Sequence, residues 1–350
     1  MEALTKAEAA VLLSLLGADW SETERSRIRS SGIPRSTYQE AKRRLYEEGY
    51  LRNRFVPDPH AFGMDGFRFV LARPFVDELG SVARSLEEDP RTVNLWVSPT
   101  ALFAVQMVGP PAAGRPTAGT PDPAEIPGTV VTLDAAVQPG QIPVFFDPEG
   151  VWARVAGASG PRRYPRGVPC QSGRGGETHA PLSPRTAVAL RGLLARPFDP
   201  SIEGRDPARV AAPFLPRSER QVLAQGWASW RVVPSFSKTL AHNGRELRQL
   251  ILVTGRLQPG VGLPFVTSAL ARRTGASPLV AATDGTRVIL AALGGTGARD
   301  GAAHAGSVLG TLTATLNDLQ ILREDLSTLD TRLDLRFDRL APRTSASARV

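Results

Sequence analysis

The sequence predicts an α+β chain in which one composite unit occurs twice. Each unit has a cluster of short helices with a strand, followed by a layered β-α-β-β-α-β stretch. Three observations carry this reading. The spacing of apolar residues changes from a helical to a strand period, and does so in both halves. Segments of the first half return in the second: "LTKAEAAVLLSLLG" (4–17) as "LSPRTAVALRGLLA" (182–195), and "FRFVLARPFV" (67–76) as "RQLILVTGRL" (248–257). The interval also holds, being 178 residues from Leu4 to Leu182, 182 from Pro34 to Pro216 and 177 from Pro57 to Pro234.

Residues 4–18 read as a helix with Ala10, Leu13 and Leu16 on one stripe, widened by Val11, Leu12 and Leu15. Ser21 opens S-E-T-E, a capping box with Glu24, and starts a second helix to about Ser30. After the Ser31-Gly32 turn, Pro34 suits the first turn of a third helix that Gly49 stops. The strand Tyr50–Val56, broken by Pro57 and Pro59, and a strand at Gly66–Arg73 would form a wing around the loop 57–65, so residues 1–66 predict a winged helix. Phe67–Ala72, Val76–Leu86, Thr92–Val97 and Ala101–Val108 then give β-α-β-β, the first part of a ferredoxin-like sandwich. Ten of the twenty residues at 109–128 are Pro or Gly, a composition suited to an irregular crossover. Thr129–Leu133, Ile142–Phe146 and Val151–Val155 are strand-like, and 157–181 is a Gly/Pro/Arg-rich linker.

The second copy has a shortened middle, since "LPRSERQVLAQGWASWRVVP" (215–234) stands for the longer stretch at 33–57. A strand at 248–257, a helix at Pro264–Arg273 and a strand pair at Leu279–Ala282 and Arg287–Leu293 follow. The leucines of Ala303–Asp325 predict a long amphipathic helix, and "LDLRF" (333–337) a last strand. The competing reading carries the helix on to Leu340 as a dimerising coil. The chain is thus expected to comprise a winged helix (1–66), a ferredoxin-like domain (67–156), the linker (157–181), a second, degenerate winged helix (182–240), a second ferredoxin-like domain (241–340) and a disordered tail (341–350).

Lys and Arg number 42 against 34 Asp and Glu, a formal net charge of +8, which suits a polyanionic partner. The excess is concentrated. Between Glu22 and Arg54 there are nine basic residues and five acidic ones. The third helix would turn Ile33, Tyr38, Ala41 and Leu45 inward and Arg35, Ser36, Thr37, Gln39 and Arg43 outward, where a helix after a tight turn enters the major groove of DNA. Arg pairs with guanine, Gln with adenine, and Ser and Thr hold phosphate. Arg52 and Arg54 would follow the sugar–phosphate backbone along the wing.

"SGIPRSTYQEAKRRLYEEGYL" (31–51) resembles the turn and recognition helix of winged helix-turn-helix transcriptional regulators. A ferredoxin-like unit behind it is similar to the Lrp/AsnC group, whose second domain dimerises and binds small effectors. The resemblance implies a regulator that occupies double-stranded operator DNA, with a small-molecule effector and homodimer formation as further partners. The alternative is a scaffold that uses its winged helices as protein contacts.

Little else carries chemistry. A single cysteine, Cys170, excludes an internal disulfide. His60, His179, His242 and His304 have no carboxylate at metal-ligand spacing. "GGTGARDG" (294–301) lacks the Lys-Ser/Thr of a phosphate loop. No catalytic residue, cofactor or metal is expected. The acidic N-terminus does not suit a signal peptide, and no apolar run approaches the roughly 20 residues of a membrane span, so a cytoplasmic protein is expected.

Overall fold

The computed structural model describes residues 4–16, 23–57, 64, 66–109, 126–136, 183–196, 207–217, 220, 228–241, 249–274, 277–294 and 308–340. In chain order the elements are α1 (Lys6–Leu16), α2 (Glu24–Ser31), α3 (Arg35–Glu47), β1 (Leu51–Pro57), β2 (Gly66–Ala72), α4 (Val76–Glu88), β3 (Thr92–Val97), β4 (Leu102–Val108) and β5 (Thr129–Ala136). They continue with α5 (Pro184–Ala195), α6 (Pro207–Ala211), β6 (Ala228–Pro234), α7 (Phe236–Ala241), β7 (Gln249–Leu257), α8 (Leu263–Thr274), β8 (Ser277–Thr283), β9 (Arg287–Gly294), β10 (Leu316–Asp325) and β11 (Asp330–Leu333).

Of the first three helices, α1 and α2 open on side-chain caps, and α1 and α3 carry an apolar stripe. α1 opens on a reciprocal capping box in which the Glu8 amide donates to Thr5 Oγ1 and the Thr5 amide to Glu8 Oε2, at 3.2 and 2.7 Å. Sequence reading placed such a box at Ser21 and Glu24 instead. There the N-cap is Thr23, which accepts from the Ser26 amide, and Glu24 is the first helical residue. Gly32, at φ +65°, ends α2 in the left-handed conformation that glycine adopts without a Cβ penalty. Val11, Leu12 and Leu15 of α1 pack on Tyr38, Ala41 and Leu45 of α3, with Tyr50 and Leu51 closing this core.

Two antiparallel sheets form the body. The four repeated strands run β5-β2-β4-β3 in one and β10-β7-β9-β8 in the other. Each therefore has the order fourth, first, third, second, the ferredoxin-like arrangement. Their inner faces meet. Phe67, Phe69, Phe103, Val105, Met107 and Leu133 of one sheet share a core with Leu250, Leu252, Ile289, Ala291 and Leu293 of the other. Their outer faces are covered by helices: Val82, Ala83 and Leu86 of α4 lie on Val70, Leu95 and Ala104, while Val266 and Leu270 of α8 lie on Ile251, Val253 and Leu290. Burial on both faces explains why these strands read as continuous apolar runs rather than alternations.

The wing differs from the expectation. β1 does not pair with β2. It pairs antiparallel with β6 from the other half of the chain. The strand patterns give the reason. β1 alternates buried Leu51, Asn53 and Phe55 with half-buried Arg52 and Arg54, so it suits a ribbon with one wet face. β2 is apolar on both faces and suits the covered sheet. In the ribbon, Arg54 stands opposite Arg231, which lies 177 residues further on, the interval that separates Pro57 from Pro234. Leu51 likewise stands opposite Pro234 and Pro57 opposite Ala228. Side chains cross over with the strands: Val232 of β6 joins the core of the first helices, while Phe55 and Val56 of β1 join Ala187, Leu190 and Leu194 of α5.

The long helix expected at 303–325 also differs. Residues 308–313 are helical, but Leu316–Asp325 is strand β10. A bulge between Asn317 and Gln320, with Asp318 at φ +49°, shifts the phase of the strand. Leu316, Leu319 and Ile321 consequently face the outer core, and Leu322 and Leu326 the central one, a spacing that imitates a helix. "LDLRF" is not a strand beyond Leu333. The chain leaves β10, crosses to the first sheet and adds β11 to the edge of β3, then forms a 3-10 turn at Phe337–Arg339. Residues 330–340 thus strap the second half onto the first, burying Leu335, Phe337 and Leu340 in the central core. The strands expected at Ile142–Phe146 and Val151–Val155 lie outside the described residues.

Candidate functional site

The third helix displays part of the face read from the sequence. Arg35, Ser36 and Thr37 are exposed in its first turn, and Gln39 is half-buried beside Glu24. The basic residues after them are neutralised within the fold. Arg43 is clamped between Glu40 and Glu47 at 2.5 and 2.7 Å, and the two carboxylates push its pKa further above the ordinary value. Arg44 pairs with Glu8 and Glu48 at 2.7 and 2.9 Å. Lys42 is buried and pairs with Glu24 at 2.7 Å. Glu24's pKa is lowered: burial opposes the shift, but the hydrogen bond and charge of Lys42 outweigh it.

Arg52 and Arg54 do not lie on an open wing. The ribbon places Arg54 under the C-terminal strap, half-buried, with Arg52, Arg336, Asp334 and Asp338 around it. Burial lowers its pKa from the usual arginine value; Arg52 and Arg336 add to the shift, while Asp334 and Asp338 oppose it. The guanidinium stays charged throughout the physiological range. Both acids are engaged elsewhere. Asp334 Oδ2 accepts from Ser235 Oγ, Ser237 Oγ and the Ser237 amide at 2.9, 3.0 and 3.3 Å. Asp338 binds Arg336 through both oxygens at 2.9 Å. Among the described residues Arg54 makes one long hydrogen bond, Nη1 to the Leu335 carbonyl at 3.5 Å, and its buried Nε has no acceptor.

The strap that covers Arg54 is held on each side. The Arg336 amide donates to the Val93 carbonyl at 2.8 Å. Arg339 donates to the carbonyls of Thr92 and Glu87. The Arg336 guanidinium thus stands between those of Arg54 and Arg339, with a charge interaction to each. Planar guanidinium forks match carboxylates bidentately, and the match is stronger where water is thinned. Sequence reading found Arg54 but assigned it a different surface, and it missed the strap residues. The available signal was the alternation of charge in "DLRFDR" (334–339), at a spacing too short to reveal its partners in the first half. Among the described residues no group of His, Cys, Asp and Glu could hold a metal ion. Cys170 and the four histidines lie outside the described residues.

No protein-family model matches the chain, and no curated protein matches it. Solved structures do. One is the siroheme decarboxylase NirDL in co-complex with an iron-uroporphyrin III analogue, at a TM-score of 0.48 and 13% identity, covering 95% of this chain and 96% of that one. Another is the siroheme decarboxylase NirDL at a TM-score of 0.48 and 12% identity, covering 96% of both chains. The similar structures are enzymes by name. On that finding the readings of this chain as a DNA-binding transcriptional regulator, or as a non-enzymatic scaffold, are corrected, and so is double-stranded DNA as its partner. The local geometry accords with the correction. Lys42, Arg43 and Arg44 are paired within the helix cluster, and Arg54 lies beneath the strap. What stands of the resemblance is the fold: a three-helix cluster with a ribbon strand, set beside sheets of ferredoxin-like order. No helix among the described residues is long and apolar enough to cross a membrane.

Proposed function

We propose that the chain is an enzyme acting on a polycarboxylate small molecule, bound where the β1–β6 ribbon meets the C-terminal strap, with Arg54 as the principal carboxylate ligand. The observation that carries this reading is the supply of donors at Arg54: a buried Nε without an acceptor among the described residues and a single long bond from Nη1. A charged group so placed stabilises the fold poorly and an incoming carboxylate well. Arg52 and Arg336 add positive charge near the site, against Asp334 and Asp338. The ligand to try first is iron-uroporphyrin III, whose carboxylate arms fit the chemistry and whose analogue is named for one similar structure. Decarboxylation is the reaction to assay.

We also read the chain as two tandem units, 1–156 and 182–340, joined about an internal pseudo-two-fold. The facing of Arg54 and Arg231 across the ribbon, the matching strand orders of the two sheets and the reciprocal packing of β1 on α5 and β6 on the first core support it. The proposed site then lies at the axis, where one ligand per chain is expected.

The test is a visible-absorption titration of the full chain with iron-uroporphyrin III, comparing the native sequence with Arg54→Gln. Losing a hydrogen bond to a charged group costs about 1.5–3 kcal/mol, so Arg54→Gln should bind ~10–100-fold more weakly. Equal affinity in the two proteins would overturn the assignment.

A further inference from the structure

Leu335 is one of two described non-glycine residues with positive φ, at +52°. For a large side chain this conformation costs roughly 1–2 kcal/mol and persists only where the surroundings enforce it. Here they do. The preceding residue, Asp334, is tied to Ser235 and Ser237, and the following amide, that of Arg336, to the Val93 carbonyl. The Leu335 side chain is buried in the central core with Phe337 and Leu340. The strained turn directs the Leu335 carbonyl at Arg54 Nη1.

We infer that this turn is a clasp, which holds the Arg54 guanidinium in store and releases it to a ligand carboxylate. The inference rests on the reading of Arg54 as a carboxylate ligand. A carboxylate is the stronger acceptor, because it carries a full negative charge and can take two N–H groups of the guanidinium fork at once. When it takes the Nη1–H, the turn loses one of the bonds that hold it, the ties to Ser235, Ser237 and Val93 bear the backbone strain alone, and the strap opens more readily. The element that gives is the strap. β11 has four residues, lies at a sheet edge and shows a register break between Thr331 and Leu333 against β3, all marks of a segment that opens at low cost. Arg54 is thus kept from the nearby acids until a ligand arrives, and ligand entry is coupled to strap movement.

The experiment is hydrogen exchange on the full chain, with and without iron-uroporphyrin III, with absorption recorded on the same samples. The clasp predicts that saturation speeds exchange of the strap amides at 330–337, the Arg336 amide among them, by about tenfold. Amides of β2 and β4 should stay unchanged. In Arg54→Gln, ligand at any concentration should leave strap exchange as it is. An absorption change with strap amides equally or better protected would overturn the clasp and leave the binding site standing. No absorption change at all would remove the Arg54 reading and the clasp with it.

Discussion

Arg54 and Lys42 show opposite ways of keeping a cation out of water. Lys42 is buried against Glu24, which is itself partly exposed, so the two partners are unequal. Glu24→Gln removes a charged partner from a buried ammonium and should cost about 1–3 kcal/mol in chemical denaturation, while Lys42→Met should cost less. Among the described residues Arg54 has no such ion pair, and Arg54→Met should leave stability unchanged or raise it by up to ~1 kcal/mol while weakening ligand binding. Thermal melts of that variant beside its titration check both halves. Asp338 gives a pH prediction. Burial opposes its ionisation, but Arg336 and then Arg54 hold its folded pKa below the ordinary carboxylate value. Its contribution is therefore present above an unfolded pKa of about 3.9 and is lost as pH falls through the lower folded value. Asp338→Asn should cost roughly 0.5–1 kcal/mol at neutral pH, discounted for partial exposure, and progressively less as pH falls through the lowered folded value. At this scale the sequence identified the exposed positions Arg35, Ser36 and Thr37. It overestimated the basic face because Glu40, Glu47 and Glu48, three and four positions along the same helix, were counted but not paired.

Elements were legible where burial imposes one period. β2, β3, β4, β7 and β9 are covered on both faces and read as apolar runs, and α3 was bounded by its own turn and glycine. β10 was misread because a bulge breaks its period, and that bulge depends on Gly255. A Cβ at this position would meet the Asn317 carbonyl oxygen at 2.9 Å and the Leu316 side chain at 3.3 Å. Gly255→Ala should therefore cost about 1–3 kcal/mol in a thermal melt, since backbone must shift to admit a methyl group. The same change at Gly192, with nothing within 4 Å, serves as the control. The ribbon partner of β1 was illegible for a different reason. A strand specifies its register by alternation but does not name a mate 177 residues away.

Among the described residues the two halves are joined by one core fed from both. Phe55, Phe69 and Phe103 share it with α5, β7 and β9, and the strap adds Leu335 and Phe337. A protease site inserted within 157–181 of the full chain should consequently be cut without separating the halves, which should co-elute and melt in one transition. Two separate particles or two melting steps would refute a shared core. The recurring landmarks were visible in the sequence, whereas the proposed site was not, because it exists only after residues near 54 and 336 are brought together. The most direct measurement is the Arg54 Nε–H resonance of arginine-labelled protein, assigned by its loss in Arg54→Lys. Addition of metal-free uroporphyrin III, a diamagnetic polycarboxylate, should shift it saturably as the orphaned donor gains an acceptor. Binding with that resonance unmoved would contradict the account.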